Sequence, residues 1–342
     1  MTLVSPVAGR LTGCWHSVGV QRFDDLSGVV SGFGPSVVTI GNFDGVHRGH
    51  VAVLSRVVTT ARERGAASVA VTFDPHPLQL LDPERAPGSL TGLDRRLELM
   101  AATGLDAVLV MPFTRELAGW SPERFVQDVF VAALRASVVV VGHDVRFGHR
   151  NSGDLGTMQE LGRRFGFEVD VLDDLGGGAP GSADAPRWSS TAARGALAAG
   201  DVARAAEVLG HPHRVTSTVV HGDHRGRELG YPTANLDTTT ADGLVPADGV
   251  YAGWLHRAGR DGAPGQALPA AVSIGTNPTF DGVRTQLEAH VIDAPPGLDL
   301  YGERVSLDFV AHLRPTLRFE GVDALVVQMA ADVEECRRVL LG

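Results

Sequence analysis

Gly41-Asn42-Phe43-Asp44-Gly45-Val46-His47-Arg48-Gly49-His50 follows a short β-branched run, residues 36–40, and leads into a helical pattern through Val51, Leu54 and Val57. A strand, a glycine-bearing loop and a helix in that order form the opening unit of a doubly wound parallel sheet. Apolar runs at 68–73, 106–111 and 137–141 read as further buried strands, with helical patterns between them. One of those helices has a clear start, Ser121-Pro122-Glu123, ahead of residues 125–134. Serine caps the first free amides there, and proline suits the first helical position. Ligands of such sheets sit beyond the carboxyl ends of the strands. The loops 41–50, 74–77 and 142–153 each follow a strand and are expected to converge on one site.

His47 and His50 fall on the first turn of the helix, with Gly49 between them so that a phosphate can approach the backbone. Free N–H groups and the positive end of the helix dipole face the same point. The set suits polarisation of an α-phosphate during adenylyl transfer. A turn capped by histidines is the plainer alternative.

Past residues 173–186, a Gly/Pro/Ser/Ala-rich hinge by composition, the pattern changes. Ser189-Ser190-Thr191 can cap one helix, and Asp201 a second that ends near Gly210. Residues 215–221, 249–255, 268–274, 285–292 and 305–313 then read as strands separated by turns, without a long helix. That spacing predicts a small antiparallel barrel. The chain ends in a helix whose apolar stripe is Val322, Leu325, Val326, Met329, Val333 and Cys336. The expected fold class is α/β. An N-terminal doubly wound parallel-sheet domain covers 1–186, linker helices 187–212, and a β-barrel domain with a terminal helix 213–342.

A second glycine-rich run, His221-Gly222-Asp223-His224-Arg225-Gly226-Arg227-Glu228-Leu229-Gly230-Tyr231-Pro232-Thr233-Ala234-Asn235, opens the barrel region. Glycines 222, 226 and 230 let a loop wrap phosphates with its N–H groups. Thr233 and Asn235 place neutral oxygens two residues apart, suited to share Mg²⁺ with nucleotide phosphates. The glycines alone fit a hairpin and a proline turn equally well.

Composition narrows the chemistry. All 30 basic residues of the 342 are arginine, against 40 acidic ones, for a net charge of −10. Without lysine there is no Walker A loop, no protein-kinase strand lysine and no Schiff-base or pyridoxal-phosphate chemistry. Arginine, histidine, backbone N–H groups or a metal must then meet any phosphate charge. The acidic balance argues against nucleic acid or an anionic membrane as partner. Cys14 and Cys336 are too few and too far apart for a disulfide framework or a cysteine metal site. Apolar runs are of strand length, so a cytoplasmic protein is expected.

Taken together, GNFDGVHRGH at 41–50, VTFDPHP at 71–77, GHDVRFGHRNSGD at 142–154 and SSTAAR at 189–194 resemble the bacterial bifunctional riboflavin kinase/FMN adenylyltransferase (FAD synthetase) family. The run from Gly222 to Asn235 resembles its riboflavin kinase module, with Tyr231 where Phe is commoner. Matches continue at Asp248–Tyr251, 273–279, 287–290 and 300–302. The resemblance implies phosphorylation of riboflavin to FMN and adenylylation of FMN to FAD, with ATP as co-substrate and Mg²⁺ as cofactor. Riboflavin, FMN, FAD and ATP are then the partners, and no obligatory protein partner is inferred.

By that resemblance His47 and His50 are catalytic in adenylyl transfer, and Glu288 is the general base for the ribityl 5′-hydroxyl. Gly41, Asn42, Phe43, Asp44, Gly49, Ser190, Thr191 and Arg194 bind ATP at the first site, and Gly222, Arg227 and Gly230 at the second. Pro75, His76, Pro77, Asp144 and Phe147 line the flavin side, and Thr233 and Asn235 hold the metal. Read alone, Asp74-Pro75-His76-Pro77 also fits a rigid turn, Asp144 a turn cap, and Arg194 a solvated helix charge.

Val145 stands where the family has Phe, and Ala192 and Ala193 replace an Arg and an Ile. Val145 and Ala192 favour one alternative, a riboflavin kinase with weakened or lost adenylyltransferase activity; the other is a flavin-binding protein without turnover, against which Glu288, Thr233, Asn235, His47 and His50 speak.

Overall fold

A computed structural model describes residues 19–172, 188–222, 226, 229–257, 265–279 and 282–342. The hinge at 173–186, Cys14 and the ATP-binding candidate Arg227 lie outside the described residues.

The strands β1 (Gln21–Phe23), β2 (Ser36–Ile40), β3 (Ala67–Asp74), β4 (Ala107–Pro112), β5 (Ala136–Gly142) and β6 (Glu168–Leu172) form one sheet in the order β1-β4-β3-β2-β5-β6. Every pairing is parallel. Successive residues serve opposite faces. Val38, Val69, Leu109 and Val139 pack with Phe125, Phe130 and Met158 on one side. Val37, Ala70, Val108 and Val138 pack on the other with Leu54 and Val57 of α1 (Arg48–Arg64) and Leu97 and Met100 of α3 (Leu93–Ala101). From β2 the chain runs outward through β3 and β4, then returns to β5 on the other side. The strand order therefore reverses between β2 and β5, the place where sheets of this kind bind ligands beyond the strand ends.

Ser121 caps its helix as expected, accepting from the Arg124 amide, with Pro122 at the first position. The regular helix over 125–134 does not follow. α-Helical winding stops at Phe125, and Val126–Ala133 is a π-helix. Val126, Val129, Phe130 and Leu134 are all buried against the sheet.

The barrel closes in the order β10-β11-β8-β7-β12-β9. Its strands are β7 (His213–Val220), β8 (Ala234–Leu236), β9 (Gly249–Arg257), β10 (Ala267–Thr279), β11 (Gly282–Val291) and β12 (Arg304–Arg314). Alternate residues of β7 (His213, Val215, Ser217, Val219) point inward, and closure leaves no open edge. The terminal helix α9 (Val322–Leu341) buries only part of its expected stripe. Cys336 packs with Ala252 and Ile292, while Val322 is 59% exposed. Asp332 is buried in the stripe because Arg314 grips it at 2.6 and 2.8 Å.

Between sheet and barrel lie α7 (Ser190–Ala198), capped by Ser189, and α8 (Val202–Leu209), capped by Asp201 and ended by Gly210 in the left-handed region. Both helices belong to the barrel's core: Ala193, Leu197, Val202 and Leu209 pack with Val215, Leu236 and Phe309, and Leu90 of the first half joins them. Arg48 Nε donates to Glu207 O at 2.8 Å, and His211 Nε2 lies 3.0 Å from Gly45 O, tying the same region to the glycine loop.

Candidate active sites

The loop after β2 is bent hard. Phe43 and Val46 take positive φ (49° and 38°) although neither is glycine, and both side chains are buried. Such strain persists only where the surroundings over-determine it. Here the surroundings are a buried carboxylate: Asp44 accepts from the amides of Leu90 (2.9 Å) and Thr91 (3.1 Å) and pairs with the Arg194 guanidinium. Arg194 Nε also donates to Gly88 O at 2.9 Å, and Ser190 Oγ to Asp44 O at 2.8 Å. The start of α7 is thus latched onto the loop.

His47 is the N-cap of α1, its Nδ1 accepting from the His50 amide at 3.3 Å. That bond leaves its proton on Nε2, free to donate. The two imidazoles stack at 3.6 Å. Burial drives the His47 pKa down to about 4 against the pull of Asp44. Burial, then His47, holds His50 well below its usual value. At neutral pH the pair is therefore uncharged, a set of hydrogen-bond donors rather than cations. Gly49 leaves room beside it, since a Cβ there would stand a tight 3.1 Å from the His47 ring.

These histidines make stability depend on pH, as does His213, which is buried in the barrel with its pKa lowered to about 4. They are neutral when folded but take a proton when unfolded below their usual value of 6.5. The unfolded state binds more protons there, so the folded state weakens as pH falls from 6.5 toward 4. His47 and His213 each cost up to about 3 kcal/mol at the acid end. The urea midpoint should fall markedly between pH 7.5 and pH 5, and an unchanged midpoint would refute the neutral assignment.

Of the flavin-side candidates, His76 is closest to this centre. Its Nδ1 accepts from the Leu78 amide at 3.2 Å, and its Nε2 lies 3.2 Å from Asn42 Nδ2. Pro75 is exposed, and Pro77 opens the short helix α2 (Pro77–Leu81). Asp144 is exposed just past β5. Phe147 does not line the cleft: it is 4% exposed, packed in the core beside Phe125. Phe43 likewise turns inward, its ring edge-on to His50 at 5.2 Å. Gly41 allows this, because a Cβ there would stand 3.1 Å from the Phe43 ring. Thr191 is exposed on α7, while Ala192 and Ala193 face the barrel's core.

Sequence reasoning missed Arg96. It is 4% exposed and donates to Asn42 O (3.1 Å) and Phe73 O (3.0 Å), with Asp74 Oδ1 at 3.4 Å. One guanidinium thereby binds the loops after β2 and β3 together. The available signal was its place on the apolar face of α3 with Leu93, Leu97 and Met100, an unusual position for a cation. Beside Arg96 opens a cleft of about 590 Å³, walled by Asp44, Asp74 and His76 on the sheet side and by residues 241–245 on the barrel side.

The second centre lies on the barrel. Thr233 and Asn235 line a smaller pocket of about 130 Å³ with Gly222, Val219, Leu300 and Tyr301. Glu288 sits directly opposite Asn235 in the β8–β11 register, on the outer face, while Leu287 and Ala289 point into the barrel. Gly222 is needed for contact: a Cβ would stand 2.3 Å from Asn235 Nδ2. Gly226 packs against Tyr231 O, and Gly230 turns in the left-handed region (φ 85°).

Two family models match the chain, FAD synthetase over residues 32–180 and riboflavin kinase over residues 209–340. The bifunctional riboflavin kinase/FMN adenylyltransferase of Escherichia coli strain K12 is 38% identical over 86% of this chain and 90% of its own length. The chain belongs to this bifunctional family. The Listeria monocytogenes member is 34% identical over 94% of this chain and 95% of its own. A solved structure described as a macrolide-efflux protein from Streptococcus pneumoniae shares the fold, with TM-score 0.80 and 29% identity over 94% of this chain and 99% of that one. Among the described residues no helix is long and apolar enough to cross a membrane. The FAD synthetase match covers β2 to β6 of the sheet, and the riboflavin kinase match covers the barrel and nearly all of the terminal helix.

Proposed function

We propose that this member of the family converts riboflavin to FMN at the barrel centre and FMN to FAD at the sheet centre, each step consuming one ATP. The sheet domain, 1–186, is the adenylyltransferase; 187–212 connects it to the kinase, 213–342. The reading rests on one arrangement above all: a neutral histidine pair at a helix start in one half, and a carboxylate opposite Asn235 in the other. The reading includes a cytoplasmic location, in keeping with consumption of ATP at both centres.

In the kinase step Glu288 accepts the proton of the 5′-hydroxyl as that oxygen attacks the γ-phosphate of ATP, releasing ADP. Thr233 and Asn235 fit a Mg²⁺ site because they offer neutral oxygens in one pocket. Such a site suits an ion held largely by nucleotide phosphates and water, which would neutralise phosphate charge. In the second step an FMN phosphate oxygen attacks the α-phosphate of another ATP and pyrophosphate leaves. His47 donates from Nε2 to the phosphate oxygens, while the amides of the α1 start face the developing charge.

Arg194 is a positioning residue in this scheme, since its guanidinium is spent on Asp44 and Gly88. Arg194→Ala strands a buried carboxylate and unlatches α7. FAD formation should fall by about tenfold or more while FMN formation holds, a differential measured by the rates of the two steps. Equal loss of both would count against it.

The test of the function itself is a time course of riboflavin, FMN and FAD with Mg-ATP. Sequential appearance of FMN and FAD supports the proposal. FMN alone would favour the kinase with a lost second activity, and flavin binding without ATP consumption would reject both steps.

A further inference from the structure

The cleft of about 590 Å³ is bounded by two separately folded walls. The sheet-side wall is held by the bonds of Asp44 to the Leu90 and Thr91 amides and by Arg96 bridging Asn42 O and Phe73 O. The other wall is the loop between β8 and β9, residues 238–245, from the barrel. It is pinned at several points. Thr216 and Asp242 exchange two backbone bonds of 2.8 Å, and Thr238 Oγ1 donates to Thr285 O at 3.0 Å. Buried His213 holds Leu244 O at 2.6 Å through Nε2. Asp242 is also paired with Arg304.

The walls meet at two glycines. A Cβ on Gly88 would stand 2.7 Å from Leu244 Cδ1, and one on Gly92 would stand 2.6 Å from Asp242 Cγ. Beyond that contact the cleft opens to a size that holds a large organic ring system.

Charge decides what enters. Asp44, Asp74, Asp94 and Asp242 line the space; Asp44 is paired with Arg194, Asp74 with Arg96 and Asp242 with Arg304, which leaves a small acidic excess carried by Asp94. A phosphate is disfavoured there, whereas hydroxyl and imide N–H donors find acceptors. Leu93, Ala241, Leu244 and Val245 supply apolar surface for a ring. His76 and Asn42 connect this space to the loop that carries His47.

We propose that the barrel loop 238–245 is a specificity wall of the adenylyltransferase cleft, with Leu244 packing against the neutral ring end of FMN while its phosphate points out toward His47. The kinase half thus helps bind the substrate of the other half. This inference rests on the reading of the sheet domain as an FMN adenylyltransferase, and wild-type FAD formation tests that reading separately.

The experiment measures KM for FMN and for ATP in FAD formation, in the full chain, with riboflavin phosphorylation followed in the same preparations as a report on barrel folding. Leu244→Trp, which fills the cleft, should raise the FMN KM by about tenfold or more, with the ATP KM and the kinase rate within about twofold of wild type. Leu244→Met should restore the wild-type FMN KM. If the tryptophan variant loses kinase activity through misfolding, Leu244→Ala decides instead, with an expected rise of about threefold or more. An unchanged FMN KM overturns the proposal, as does a change in the ATP KM alone, which would make the cleft a nucleotide site. Failure of wild type to make FAD would reject the underlying reading instead.

Discussion

His47→Ala should stop the two-step synthesis at FMN. The variant loses the Nε2 donor at the end of α1, and removing one such preorganised donor typically slows the chemical step by about 10²–10³-fold. Riboflavin phosphorylation is expected to be unaffected, because Glu288, Asn235 and Thr233 lie on the barrel while His47 caps α1 beside the sheet. FMN should accumulate to the level of added riboflavin. Loss of the cap itself costs only about 1 kcal/mol, so the fold should survive. His47→Asn separates the two roles, since asparagine can accept from the His50 amide but cannot reach as far as the imidazole Nε2. It should be as slow as alanine. Wild-type FAD formation in either variant would remove His47 from the mechanism.

Glu288→Gln produces the complementary block. The amide is nearly isosteric and keeps the register with Asn235 and Ser273, but it cannot take a proton. Loss of a general base typically lowers the rate by about 10²–10⁴-fold, so FMN formation should nearly vanish. Supplied FMN should still be converted to FAD at the wild-type rate. Phosphorylation of riboflavin at an undiminished rate would exclude Glu288 as the base.

The parts of the fold that were legible share a cause. Strands buried on both faces appear as unbroken β-branched runs, as in Val138 to Val141, and helix starts carry local caps such as Ser121, Ser189 and Asp201. The edge strands at 21–23 and 168–172 were missed because an edge position needs little apolar content. β8 was missed because only three residues pair, and the π-helix because its pattern imitates an α-helix over one or two turns. Among site residues, those with unusual local spacing were readable: His47, Gly49 and His50, or Thr233 and Asn235. The burial of Phe147 could not be read, because a phenylalanine after a strand serves a core or a cleft with the same local signature. Arg96 was hidden because its partners, Asn42 O and Phe73 O, are backbone atoms 54 and 23 residues away in sequence.

By itself, the sequence determined the two fold units, their order, the absence of lysine-based phosphate chemistry and the family. These follow from local patterning and from residue types that short segments carry whole. Only the tertiary structure decided that the histidine pair is uncharged, because charge state depends on desolvation by neighbours distant in sequence. It also decided that Arg194 is bonded to Asp44, 150 residues away, and that the barrel supplies one wall of the cleft beside Arg96 and His76. A missing lysine can be read from composition. Where the charge that replaces it is already engaged can be read only from packing.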